Sequence, residues 1–281
     1  MRLANADGRA AFLVDGRVHD LAELSGGALP SDPMAVVADH WEEARAWWAR
    51  GTTGDGVAAD VVHLRAPVPR PGAVFAVGIN YRGHARETGA EVPELPAIFT
   101  KYQQSINGPC GDVVGPAGED TVDYEAELAF VIGKAGRHIA ESDALDHVAG
   151  YMAAQDISCR RVQRAAGNQF AMGKSYDSFC PLGPAIVSLD ELPDPLDLAI
   201  SCRVSGELLQ DARTSDLIRN VPELIAFLSS VLTLQPGDVC LTGTPAGVGV
   251  ARTPQRFLRD GDVIETEIEG VGRLRNRCVS C

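Results

Sequence analysis

The sequence predicts an α+β fold with a small N-terminal domain, and three observations carry that expectation. Asp123–Lys134 reads as a buried strand, the last third of the chain is mostly short strands interrupted by one helix, and prolines at 67, 69 and 71 break the chain ahead of them. With 281 residues and 45% hydrophobic content the chain can bury a sizeable core, divided here into residues 1–66, an accessory domain, and residues 67–281.

From the N-terminus, Ala11–Val14 and Val18–Leu21 flank Asp15-Gly16-Arg17, the pattern of a hairpin with a glycine turn. Trp41–Trp48 reads as an amphipathic helix with Trp41, Ala44, Trp47 and Trp48 on one stripe. Beyond the prolines, Ala73–Gly78 is a short buried strand and Asn80 a suitable cap for a following helix, on which His84 and Glu87 share a face. A carboxylate that close orients an imidazole and prepares it as a general base, though the same pair also fits a solvated surface helix. Gly83 and Gly89 would let that helix hinge as a lid. Ile98–Lys101 reads as a strand, Asp143–Met152 as a helix and Tyr151–Ile157 as a strand. Met172–Asp177 reads as a loop carrying Lys174. Leu198–Val204, Val239–Thr242 and Val263–Ile268 are strands around the helix Val221–Leu232, and Arg252–Arg259 looks exposed. The glycine-rich turn after Leu241 is a natural anion contact, but it lacks the lysine spacing of a phosphate loop.

The centre of the chain is Asp123-Tyr124-Glu125-Ala126-Glu127-Leu128 and the apolar run after it. Side chains alternate along a strand, so Glu125 and Glu127 project to one side about 6.6–7 Å apart, with Leu128, Phe130 and Ile132 opposite. Carboxylates that close in a low dielectric need a cation, and oxygen-only ligands favour Mg²⁺, Mn²⁺ or Ca²⁺. A half-exposed edge strand with solvated glutamates fits the same letters. Asp156 follows an apolar stretch where an unpaired aspartate is costly, and it reads either as a third carboxylate or as the cap of Ser158–Gln163.

A formal net charge of −13 makes nucleic acid and anionic membranes poor partners. Seven scattered cysteines without a CxxC read as reduced thiols. No run reaches the roughly 18 apolar residues of a membrane span, and the start has no signal-peptide core. The expected location is the cytoplasm. Of 25 basic residues only Lys101, Lys134 and Lys174 are lysines, which singles out three places where a point charge matters.

Gly78-Ile79-Asn80-Tyr81 with His84 and Glu87, Asp123–Leu128, Gln155-Asp156, Gly173–Phe179, and Pro236-Gly237-Asp238 leading to Thr242-Gly243-Thr244-Pro245 together resemble the fumarylacetoacetate hydrolase family over about residues 64–279. The resemblance implies a mixed β-sandwich roll, a divalent metal held by three carboxylates, a homodimer, and cleavage of a carbon–carbon bond in a β-diketo acid. It assigns Glu125, Glu127 and Asp156 to the metal (Mg²⁺ or Mn²⁺, with Ca²⁺ as an option) and His84 with Glu87 to water activation on a lid. Lys174 goes to the developing enolate, and Tyr81, Lys101, Gln163 and Thr244 to substrate binding. Arg161 stands where the family usually has an acidic residue, to meet a distal substrate carboxylate or to pair with a neighbour. The implied substrate is an acylpyruvate or fumarylpyruvate. Oxaloacetate decarboxylation and 2-hydroxyhepta-2,4-diene-1,7-dioate isomerisation are the alternatives on the same site, and a Ca²⁺-holding structural protein is the alternative of another class.

Overall fold

Ala126–Ile132 forms the strand expected of the central run, buried along its whole length. Alternation divides it as predicted. Ala126, Leu128, Phe130 and Ile132 enter one core with Phe75, Tyr151 and Leu224, while Ala129 and Val131 enter another with Leu3, Phe12, Val37 and Leu241. The computed structural model describes all residues except Thr53, Ala166, Asn168, Pro193 and Cys281, so the thiol expected at Cys281 lies outside the described residues. The six other cysteines are free.

A strand buried on both faces must pair along both edges, because a buried unpaired peptide group costs about 1–3 kcal/mol. Val148–Gln155 lies antiparallel on one edge, with Glu127 opposite Ala154, and Val239–Leu241 on the other. Continuing outward, Cys180–Val187 follows Val148–Gln155, and Val74–Gly78 and Ala97–Thr100 follow Val239–Leu241. A second sheet runs Glu207–Arg213, Ala199–Val204, Val263–Ile268, Gly272–Ser280, Val113–Gly115. Its Ile200, Cys202, Ile264 and Leu274 share a core with Leu128 and Phe130, so the two sheets enclose that core as the roll architecture requires.

The expected hairpin is present as Arg9–Val14 and Arg17–Asp20, with Asp15 (φ 48°) and Gly16 (φ 73°) both left-handed in the turn. The Trp41–Trp48 helix buries Trp41 and Ala44, and Trp48 meets Phe12 edge-on at 5.3 Å. Arg2–Ala6, which no sequence pattern marked, pairs antiparallel with Cys180–Val187, so the segment before the prolines extends the main sheet. The helix Val221–Val231 starts with Asn220 and Glu223 capping each other's backbone.

Two local expectations are overturned. Asp143–Met152 is not a helix: a short 3₁₀ segment, Glu141–His147, gives way to the strand from Val148. Periodicity fails here because a strand buried on both faces is continuously apolar, and Gly150 serves close packing, since a Cβ there would lie 2.3 Å from Val187 O. Asn80 is not the cap of its helix, which spans Arg82–Thr88 behind Tyr81 with no side-chain cap of its own. Asn80 instead donates to Thr242 O (2.7 Å) and Arg219 O and accepts from Arg219 N–H, tying three segments together. Arg252–Arg259 is exposed at Thr253, Pro254, Gln255 and Arg259 only, its other residues are at least partly covered, and Leu258 turns into the core. Among the described residues no helix is long and apolar enough to cross a membrane.

Candidate active site

The head of the central strand and the end of its neighbour bring three carboxylates together. Oxygens of Glu125, Glu127 and Asp156 all lie within 4.8 Å of one another, and all three residues are buried. Glu125 and Asp156 are locked by backbone geometry as well, Asp156 N–H donating to Glu125 O and Glu125 N–H to Gln155 Oε1, each at 2.9 Å.

Their charges are unequally compensated. Glu125 meets Arg160 Nη2 at 2.5 Å and Lys174 Nζ at 2.7 Å. Burial alone would raise its pKa, but Arg160 and then Lys174 hold it well below the usual carboxylate range. Asp156 accepts from Lys101 Nζ on one oxygen and Lys174 Nζ on the other, each at 2.6 Å. Glu127 accepts from Gly243 N–H at 2.6 Å and forms no ion pair among the described residues. Burial first, then repulsion from Asp156 and Glu125, pushes it well above the ordinary range. A buried, all-oxygen donor set with one carboxylate lacking a cation is suited to a hard divalent metal.

Lys174 spends its three donors on Glu125, Asp156 and Ser158 Oγ (2.9 Å), and its ammonium lies 5.0 Å above the Phe99 ring. Burial opposes its charge, yet Asp156 and Glu125 more than offset that and hold its pKa up. Its loop can lie against the helix Arg160–Ala165 only because residue 173 is glycine: a Cβ there would meet Gln163 N at 2.6 Å.

The second half of the site is the helix Arg82–Thr88. His84 Nδ1 lies 2.7 Å from Glu87 Oε1, and Glu87 Oε2 accepts from Gly247 N–H at 2.8 Å. A carboxylate can only accept, so Nδ1 donates and the lone pair of the neutral ring sits on Nε2. His84, Glu125, Glu127, Arg160, Gln163, Lys174 and Thr244 line one cavity of about 170 Å³, walled by Phe99, Phe170, Val77 and Val250.

Several expected residues sit elsewhere in this geometry. Lys101 is not in the wall; it lies behind Asp156, fully buried, donating to that carboxylate and to Lys174 O. Tyr81 is also away from the cavity, completely buried with a hydroxyl that finds no partner among the described residues. Gln163 and Thr244 do reach the cavity, Gln163 Oε1 accepting from Arg160 Nη1 (3.0 Å) and Thr244 donating to Ala126 O (2.9 Å). Arg161 takes the second of its two expected roles, pairing on the surface with Glu119 at 2.6 Å.

Sequence reasoning passed over Arg160 and Asp123. Arg160 is buried between Glu125 and Asp123, and those two carboxylates outweigh desolvation in raising its pKa. Asp123 also accepts from the N–H groups of Tyr124, Gly249 and Val250. The available signal was the same period of two: Asp123 stands two residues before Glu125 as Glu125 does before Glu127.

Residues 73–279 match the family model described as fumarylacetoacetate (FAA) hydrolase C-terminal. The human mitochondrial oxaloacetate tautomerase FAHD2A is 49% identical over 219 residues, 78% of this chain and 70% of that protein. Among solved structures, a candidate HpcE protein from Mycobacterium smegmatis superposes with a TM-score of 0.93 at 45% identity over 100% of each chain. Maleylpyruvate hydrolase from Sphingobium sp. SYK-6, in complex with manganese and pyruvate, does so at 0.83 and 34%, covering 100% of this chain and 99% of that one. With its model matched across residues 73–279, this chain belongs to the fumarylacetoacetate hydrolase family.

Proposed function

We propose that the chain is a divalent-metal-dependent enzyme that enolises a small 2-oxo acid, with oxaloacetate as the leading substrate. The observation that carries this reading is that one small cavity is lined together by Glu125 and Glu127 of the carboxylate cluster, by Lys174, and by His84, which Glu87 orients from outside it. At about 170 Å³ it falls below the roughly 300–1,000 Å³ of sites for drug-sized ligands and suits a compact acid. The human relative's name, an oxaloacetate tautomerase, supports the same substrate.

Glu125, Glu127 and Asp156 would hold Mg²⁺ or Mn²⁺, which when bound supplies Lewis-acid polarisation of the 2-oxo and carboxylate oxygens. Lys174 places a permanent positive charge where the enolate oxygen develops. Nε2 of His84 takes the proton from the carbon beside the 2-oxo group, Glu87 holds the imidazolium that results, and the imidazolium then gives the proton to the enolate oxygen, which leaves the enol and the neutral ring. Phe99, Phe170 and Val250 keep bulk water from that proton.

A second reading is hydrolysis of an acylpyruvate, fumarylpyruvate or maleylpyruvate. The His84–Glu87 pair favours it, because the same base can take a proton from water, and so does the likeness to a maleylpyruvate hydrolase. Assays with Mg²⁺, with Mn²⁺ and after chelation test both: oxaloacetate enolisation followed by enol absorbance, and fumarylpyruvate cleavage followed by pyruvate release. Metal-dependent enolisation is expected. Turnover of neither substrate with either metal overturns the proposal. A homodimer and a cytoplasmic location complete the proposal, the first checked by sedimentation.

A further inference from the structure

The helix that carries His84 and Glu87 is short and lacks its own cap, so something else must fix where it starts. The 214–219 segment does so. Gly83 N–H, the amide just before His84, donates to Asp216 Oδ2 at 2.8 Å. Arg82 Nη1 donates to Leu217 O at 2.7 Å, and Ile218 N–H to Asn80 O at 2.7 Å. A Cβ on residue 83 would sit 3.2 Å from Asp216 Oδ2, so the glycine is what lets the carboxylate approach this closely. Resting on the reading of His84 as the base, we propose that Asp216 is a positioning residue: it caps the helix from outside and sets the register of the imidazole against the cavity.

A helix of two turns has little cooperative stability of its own, so its position depends on the bonds at its ends. At the far end Glu87 is held by Gly247 N–H; at the near end the first-turn amide is held by Asp216. Removing the acceptor leaves that amide unpaired and lets the first turn fray, which moves His84 without touching the carboxylate cluster. Small misplacements of a catalytic group cost up to about a hundredfold in rate.

The test compares Asp216→Ala and Asp216→Asn, each alone and with His84→Ala, in the full chain at saturating Mg²⁺. Asp216→Ala is expected to lower kcat for oxaloacetate enolisation by about tenfold or more with KM nearly unchanged. Asp216→Asn keeps an oxygen that accepts from Gly83 N–H and restores most of that loss. In the His84→Ala background Asp216→Ala should add no further loss, because the residue acts through the imidazole. Hydrogen exchange of the amides over residues 83–88 should quicken in Asp216→Ala with or without His84. Losses that multiply in the double variant, a failure of Asn to restore, or unchanged exchange each overturn the proposal. A silent His84→Ala overturns the assignment of the base instead, and exchange then decides alone whether Asp216 holds the helix.

Discussion

The two halves of the site are built differently. The carboxylate half stands at paired strand ends of the main sheet, where Glu127 lies in the strand and a main-chain hydrogen bond just beyond it joins Asp156 to Glu125, and Lys101, Lys174 and Arg160 cross-link the buried acids. The base half rides on a seven-residue helix held by a few contacts at its ends. A sheet interior is over-determined and moves little when one contact is lost, whereas a short peripheral helix moves with each of its tethers. The charged half therefore controls whether the site exists, and the helical half controls how it is aimed.

The most drastic way to break the charged half is Glu127→Gln. It removes the one carboxylate without a cationic partner, so metal-dependent turnover should vanish while the fold persists. Calorimetric titration with Mn²⁺ measures this, and unchanged affinity would take Glu127 out of the metal centre. Lys101→Met attacks the same half from behind. Leaving Asp156 with one cation fewer in full burial should cost about 3–5 kcal/mol of stability, read by urea denaturation. A loss below 1 kcal/mol on the same scale would show that Asp156 does not depend on Lys101.

On the helical half, His84→Ala should slow fumarylpyruvate hydrolysis by at least about a hundredfold, the low end for a lost general base, with Mn²⁺ affinity unchanged. Weakened metal binding would mean that the two halves are not separable. The smallest effect is expected at Arg161→Ala, which takes an exposed guanidinium from the covered side chain of Glu119, outside the cavity. Steady-state kinetics should leave kcat and KM for oxaloacetate unchanged, and a raised KM would return Arg161 to substrate binding.

Much of the charged half was legible from the letters. Two of the three lysines spared by an arginine-rich composition stand at the site, while Lys134 lies exposed elsewhere. Alternation along a strand is local, and it placed Glu125 and Glu127 on one side without knowledge of any partner. The spacing of His84 and Glu87 is equally local, and their contact follows from helix geometry alone.

What the sequence by itself determined is therefore whatever depends on neighbours within about one turn or one strand: the paired glutamates, the histidine–glutamate pair, the hairpin and the tryptophan helix. The tertiary structure alone decided that Lys101 stands behind Asp156, that Arg160 and Asp123 join the acidic cluster, and that Asn80 ties the segments at Arg219 and Thr242 to its own where a helix cap was expected. It also decided that residues 148–152 are strand, because pairing with Ala126–Ile132 and Cys180–Val187 prevails over weak local preference. Gly83 and Asp216 stand 133 residues apart, and Glu87 and Gly247 stand 160 apart. Contacts at such separations leave no periodic trace in the sequence, since they arise only once the sheets have closed on one another.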